Sequence, residues 1–392
     1  MHHKPRILAV IGIAAASAAL LAACSSGGSG GGSTPAAAKG AKVDLASVCP
    51  ATITFQTDWN PEADHGQLYE MVGPNPQIDS DKKIVTGDLY SGGKPTGVKI
   101  SVRSGGPAIG YQTVSSQLYS DKDINLAYVS TDEAVQFSDK FPTTAVMAEN
   151  DTSPQMIMWD PTVYPKVKTI KELGEALKPG ATVRYFNGAA YMSYLTGAGI
   201  LKESQTDGSY DGTPAKFVAD KGVSGQQGFA TAEPYIYSHE VPAWNKKVAF
   251  QTINDAGYPI YPEALSVRTG DLEKMTPCLK KLVPVLQQAD VDYFKDPAPA
   301  NKLIVDLVTA YNNGWVYDAQ VADYGVKTMK DLKIAADGDN GYVGDMDEAR
   351  IQKIIDIDTP IYTKTGSAPK AGLKASDLFT NEFLDKKISL GF

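Results

Sequence analysis

Histidine and cysteine are scarce in this chain. Its 392 residues hold four histidines and three cysteines, and His2 and His3 fall in the leader, leaving His65 and His239. There is no His-x-His or Cys-x-x-Cys, and no Gly-x-Ser-x-Gly outside the Ser/Gly tract near the N-terminus. The spacings that announce a metalloenzyme or a serine hydrolase are therefore missing, and no metal site or cofactor is expected. Phosphate-loop patterns are absent too. Past the first residues no run of Lys or Arg occurs, and the formal net charge is −8. That balance excludes a nucleic-acid partner, which would need a basic patch. No internal repeat is visible.

What is present is an ordinary globular composition, 43% hydrophobic and 21% charged. The length suggests roughly two domains at about 150 residues each. The N-terminus is a leader. His2, His3, Lys4 and Arg6 precede an apolar stretch, Ile7 to Leu21, of signal-peptide length and too short to span a bilayer comfortably. Leu21-Ala22-Ala23-Cys24 follows. It resembles the bacterial lipobox, which implies signal removal at residue 23, lipidation (palmitate included) of Cys24 and anchoring on the extracytoplasmic face of the cell membrane. An ordinary Ala-x-Ala secretory site is the alternative. Residues 24–48 then read as a flexible Ser/Gly/Ala-rich tether. Outside the cytoplasm Cys49 and Cys278 can pair, clipping the N-terminus onto the body, or can stay independent buried thiols.

The body reads as α/β. Ile53 and Phe55 alternate with Thr54 and Gln56 as a strand, which breaks at Trp59-Asn60-Pro61 before a helix opening near His65. Val98 to Arg103 is a strand running into Ser104-Gly105-Gly106-Pro107. Asn125 to Val129 is another, ending at Ser130-Thr131-Asp132-Glu133, a helix start with acidic first-turn residues. Three strand ends thus converge on one sheet edge, where α/β sheets take their ligands. A fourth lies at Asn187-Gly188-Ala189-Ala190, after the strand Thr182 to Phe186. Residues 144–159 and 257–267 read as two crossovers between lobes. Residues 73–95 read as irregular with a hairpin at 84–90. Phe217 to Ala219 reads as a strand, 272–289 as a helix broken at Pro284, and 378–384 as a terminal helix.

Trp59 and Tyr69 can stack an aromatic heterocycle or simply pack the core. His65 can bond a ring nitrogen, and Glu233 an exocyclic amine, or each can be structural. Arg103 and Arg184 can hold a carboxylate or phosphate bidentately, or form structural ion pairs.

Trp59-x-Pro61-x-x-x-His65-x-x-x-Tyr69, then Arg103-Ser-Gly-Gly-Pro107, then Val129-Ser-Thr-Asp132 and Glu233-Pro234 resemble the periplasmic binding proteins of ABC importers, of the type II two-lobe kind. The chain is most similar to the branch that includes the thiamine-pyrimidine synthase of yeast and bacterial binders of pyrimidine and riboflavin precursors. Sulfonate, taurine and nitrate binders are more distant. The likeness covers roughly residues 52 to 360. It lacks the yeast enzyme's cysteine-rich iron site, and 151–163 and 208–214 look like local expansions.

The resemblance implies a type II two-lobe fold: lobe 1 in 49–150 and 263–392, lobe 2 in 151–262, joined by two crossovers around a ligand cleft. It implies a monomeric binder, not an enzyme, that delivers a small nitrogen heterocycle of the thiamine-pyrimidine or riboflavin-precursor kind to an ABC permease and ATPase. Trp59, His65, Tyr69, Ser104, Gly105, Ser130, Thr131 and Asp132 would hold the ligand from lobe 1, and Asn187, Ala189, Tyr191 and Glu233 from lobe 2. A binder of sulfonate, taurine or nitrate anions is one alternative. A surface enzyme using His65 and Glu233 as an acid/base pair on a pyrimidine-like substrate is another.

Overall fold

The structure, a computed structural model, describes residues 43–392. The leader, the Cys24 lipidation motif and most of the expected tether lie outside the described residues. The strands in chain order are β1 (Thr52–Gln56), β2 (Gln77–Asp79), β3 (Ile84–Ser91), β4 (Lys94–Arg103), β5 (Leu126–Val129), β6 (Thr143–Ala148), β7 (Gln155–Trp159), β8 (Val183–Arg184), β9 (Thr206–Asp207), β10 (Gly225–Phe229), β11 (Ala249–Thr252) and β12 (Ala264–Arg268). They make two sheets. A seven-stranded one runs β2-β3-β4-β1-β5-β12-β6, and a five-stranded one runs β11-β7-β10-β8-β9. The chain crosses from the larger to the smaller sheet between β6 and β7 and returns between β11 and β12.

Strand alternation explains why both faces of each sheet are covered. In β7, Met156 and Met158 join one buried apolar cluster while Ile157 and Trp159 join the other. In β5, Leu126 and Tyr128 face the first cluster and Ala127 and Val129 the second. A strand with apolar residues at successive positions fits a sheet that carries helices on both sides. β1 pairs in parallel with β4 and β5, so their carboxyl ends at Gln56, Arg103 and Val129 share one edge. β8 and β10 are also parallel, with ends at Arg184 and Phe229.

Several expectations are corrected. Residues 43–48 belong to the folded body rather than to a tether: Leu45 is fully buried and its N–H donates to the Thr96 carbonyl at 3.0 Å. Ile84 to Tyr90 is not a hairpin. It lies within one strand, β3, which turns into β4 at Gly92 and Gly93, both with positive φ. Residues 217–219 belong to the helix Ala215–Ala219, and Phe217 packs inward against Tyr237 and Trp244. Pro284 does not break its helix, which runs unbroken over Leu272–Lys295. Its inward stripe of Leu279, Leu282, Val283 and Leu286 is completely buried. The lost backbone hydrogen bond, costing roughly 3 kcal/mol, is smaller than the burial of four aliphatic side chains at about 1.5–3 kcal/mol each. No α-helix forms over 378–384; Leu378 and Leu384 are held by packing from an irregular segment.

Cys49 and Cys278 are disulfide-bonded, with Cα atoms 4.7 Å apart. The bond ties the entry to β1 to the long helix Leu272–Lys295. No helix among the described residues is long and apolar enough to cross a membrane.

Candidate functional site

The site starts from a turn. After β1 the backbone folds over at Thr57-Asp58-Trp59, and Thr57 Oγ1 donates to the Trp59 carbonyl at 2.8 Å. The Gly105 N–H donates to that same carbonyl at 2.9 Å, and the Gly106 N–H to the Asp58 carbonyl at 2.8 Å. A Cβ on Gly105 would lie 2.3 Å from the Thr57 carbonyl oxygen. Gly106 has a φ of +54°, and a Cβ there would lie 2.5 Å from the Trp59 ring. The glycine pair thus serves the close approach of the chain's own turn. It aims Asp58 and Trp59 across the gap towards the smaller sheet.

Two cavities meet at Asp58, which lines both. One, of about 200 Å³, holds the hydrogen-bonding side chains of Ser130, Asp132, Gln155, Tyr191 and Tyr258 beside apolar Phe229, Ile253, Ile260 and Pro262, and is called the polar cavity for the first set. The other, of about 550 Å³, is walled by Trp59, Tyr111, Phe186 and Tyr210. Trp59 lies 6.1 Å from Tyr111 and 6.4 Å from Phe186 between ring centroids, and Phe186 lies 4.8 Å from Tyr210. The rings are tilted to one another, as aromatic quadrupoles prefer. Side chains from both sheets contribute to each cavity, so the two together form an interlobe cleft.

The cleft is acidic. Asp58, Asp132 and Asp211 line it, and neither cavity is lined by a Lys or Arg. Burial raises the Asp132 carboxyl above its ordinary range, opposed by hydrogen bonds from the Ser130 hydroxyl and the Glu133 N–H. Tyr258 donates its hydroxyl to both oxygens of Asp358, at 2.8 and 2.9 Å. Burial, helped by Asp132, pushes Asp358 up to about 8. Burial also lifts Asp64 to about 6, against a hydrogen bond from Thr231.

Two backbone amides are taken by carboxylates. Glu133 accepts the Ser115 N–H at the start of the helix Val114–Ser120. Glu233 accepts the Phe229 N–H at 2.8 Å. Both carboxyls are pushed up to about 7 by burial. Arg103 and Arg184 are engaged by Asp121 and Asp220, each at 2.5 Å, so both strand-end arginines form structural ion pairs.

Of the sequence-predicted residues, Trp59 and Asn187 line the aromatic cavity, and Ser130, Asp132, Ala189 and Tyr191 the polar one. Four others point elsewhere. Tyr69 is only 2% exposed and sits in the core, because the short helix Gly66–Glu70 turns it inward. Ser104 and Gly105 are buried behind the 57–59 turn. Thr131 is bound into the second crossover through the Tyr261 backbone. His65 is completely buried and reaches the cleft through Asp58, 2.9 Å from its Nε2. Glu233 faces a neighbouring, mostly apolar cavity with Trp315 and Tyr237, which joins the cleft at Tyr210. His65 and Glu233 thus have different partners and face different spaces. Sequence reasoning missed Asp58, Tyr111, Phe186, Tyr210 and Tyr258. Asp58 sits beside Trp59, and Phe186 at the end of the fourth strand, so proximity to a strand end was the available signal.

Three solved structures share the architecture. The periplasmic aliphatic sulphonate binding protein SsuA from Escherichia coli matches with a TM-score of 0.54 at 12% identity, over 86% of this chain and 94% of that one. A protein of Bordetella bronchiseptica RB50 matches at 0.52 and 12% identity, over 85% and 96%. The periplasmic sulfonate-binding protein SsuA from Methylobacillus flagellatus KT matches at 0.50 and 12% identity, over 85% and 92%. The chain has the two-lobed periplasmic-binding-protein fold. At this identity the likeness carries the architecture and not the ligand. No family model matches the chain, and no curated protein matches it in sequence. In α/β sheets the crevice at the carboxyl ends of the strands is where ligands are held.

Proposed function

We propose that this chain is an extracytoplasmic solute-binding lipoprotein, anchored through Cys24, that captures a small nitrogen heterocycle and hands it to an ABC permease and its ATPase. The thiamine-pyrimidine and riboflavin-precursor classes fit best, with an amino or protonated ring nitrogen. The observation that carries this reading is the lining of the cleft. Carboxylates Asp58 and Asp132 stand beside the aromatic wall of Trp59, Tyr111 and Phe186, and no Lys or Arg lines either cavity. A flat ring would stack on the wall while its N–H groups donate to the carboxylates. The matching SsuA proteins are named for sulfonates. An anion here would meet carboxylates, and the nearby amides of Ser115 and Phe229 already bond Glu133 and Glu233. Lobe closure about the two crossovers would present the loaded form to the permease.

The test is a thermal-shift screen with aminopyrimidines, thiamine, flavins, taurine, alkanesulfonates and nitrate. A ligand at 100 times its dissociation constant stabilises by roughly 2.7 kcal/mol. A shift with a heterocycle and none with the anions supports the reading. A shift confined to sulfonates or nitrate overturns the ligand class, and conversion of the heterocycle on incubation overturns the binder.

A further inference from the structure

His65 stands among carboxylates that no cation balances. Its Nε2 lies 2.9 Å from Asp58 Oδ1 and 3.7 Å from Glu263 Oε1, and the three atoms all fall within 4.8 Å of one another. Asp58 and His65 lie seven residues apart, on the turn after β1 and in the helical turn Ala63–His65, while Glu263, just before β12, comes from far along the chain. Sequence spacing could not reveal Glu263 as their neighbour. Among the described residues, none of Asp58, Glu62, Asp64 and Glu263 is ion-paired with a Lys or Arg.

We propose that Asp58, His65 and Glu263 form a binding site for a borderline divalent transition-metal ion, of the zinc or cobalt kind, at the floor of the cleft. One imidazole and two carboxylates are the donor types such an ion takes. With bonds of about 2.0–2.2 Å, adjacent ligand atoms of a tetrahedral or octahedral ion stand about 3.0–3.5 Å apart; the two His65 separations, 2.9 and 3.7 Å, lie near that range, and the two carboxylate oxygens, within 4.8 Å of each other, would draw in on the ion. Two carboxylates match the charge of a divalent ion.

Independent observations point the same way. The Glu263 side chain is only 5% exposed, yet among the described residues its Oε1 accepts no hydrogen bond. Its other oxygen, Oε2, is held by the Asn150 amide, which aims Oε1 at His65. An outer partner that orients a ligating carboxylate is the usual support of a metal site. The His65 ring is fully buried and its Nδ1 has no partner; in the empty site Nε2–H donates to Asp58 Oδ1, so binding a metal at Nε2 moves the ring proton to Nδ1 or releases it. The ring lies against Tyr128, 5.3 Å between centroids, which restricts its orientation. Asp58 is 38% exposed and opens into both cavities, so the vacant coordination positions would face an entering solute. The ion would then accept a ring nitrogen lone pair, and the carboxylates would take the N–H groups.

The experiment is a titration of the full chain, stripped with EDTA and exchanged into metal-free buffer, with zinc by calorimetry and with cobalt by visible absorption. One equivalent should bind, with a cobalt spectrum typical of mixed nitrogen and oxygen donors. Asp58→Asn and Glu263→Gln, both near-isosteric and checked for folding by circular dichroism, should each weaken binding at least tenfold. Asp139→Asn, an exposed carboxylate outside the triad and the cleft lining, should bind as wild type. Absence of stoichiometric binding, or equal binding in both triad variants, overturns the site. The site stands apart from the solute reading. An aminopyrimidine thermal shift that persists in EDTA, with no metal bound, removes the metal and leaves the solute. Metal bound at the triad without any solute shift does the reverse.

Discussion

The two halves of the cleft meet at Asp58 and offer opposite things. The polar half is small and built in advance. Its Asp132 already takes the Ser130 hydroxyl and the Glu133 N–H, and its Tyr258 is held by Asp358. The aromatic half is larger and open, and Tyr111 in its wall is 61% exposed. One half fixes hydrogen-bond geometry at little cost on binding. The other offers ring faces that gain most when a ligand covers them. The difference assigns affinity mainly to the aromatic half and discrimination mainly to the polar one.

The largest expected effect is at Trp59, whose ring neighbours Tyr111, Phe186 and Trp315. Trp59→Ala should lower affinity for the best aminopyrimidine by about 30- to 100-fold, on the scale of an aromatic hot spot near 2–3 kcal/mol. Calorimetric titration measures it, and an unchanged constant would break the division of labour. Asp132→Asn should cost less, about tenfold for a ligand that donates to the carboxylate, while a purely stacking analogue loses little. Equal losses for both ligands would show that the polar half does not discriminate.

The support behind the polar half is readable through pH. Asp358 is raised to about 8 and Glu133 to about 7, both chiefly by burial. A carboxyl whose folded value is raised favours the folded state in its protonated form. Its contribution is complete below the unfolded value near 4, and is lost as pH rises through 7 to 8. Wild-type stability should therefore fall between pH 5 and pH 8. Asp358→Asn, which retains an acceptor for Tyr258, should flatten the fall, the difference from wild type growing by about 1–2 kcal/mol from pH 5 to pH 8. Denaturant melts at both pH values measure it, and parallel curves would contradict it. The smallest effect belongs to Tyr111→Ala. With its ring mostly in solvent, affinity should drop only about two- to threefold.

Much of the fold was legible because its signals are local. Alternation placed β1, β4 and β5, and the turns at Trp59, Ser104 and Ser130 marked their carboxyl ends on one edge. Pro284 and Phe217 misled because tertiary burial overrode a local rule: one helix kept its proline, and a β-prone residue was taken into a helix. At the site, Ser130, Asp132 and Trp59 were readable from strand ends. Tyr69 was not, since its motif position says nothing of which way a five-residue helix turns. Nothing in the sequence set Asp58 apart, and its weight emerges only when Glu263, about two hundred residues later, comes beside it through His65. Tyr258 and Asp358 are likewise joined across 100 residues, beyond the reach of any periodicity.

The most direct measurement follows Trp59 fluorescence during titration with an aminopyrimidine and, separately, with an alkanesulfonate. Comparison with Trp59→Phe isolates this indole from Trp159, Trp244 and Trp315. A saturable change with the heterocycle that disappears in Trp59→Phe, and none with the sulfonate, is the expected result. A saturable response to the sulfonate alone would contradict the assignment of the cleft to a nitrogen heterocycle.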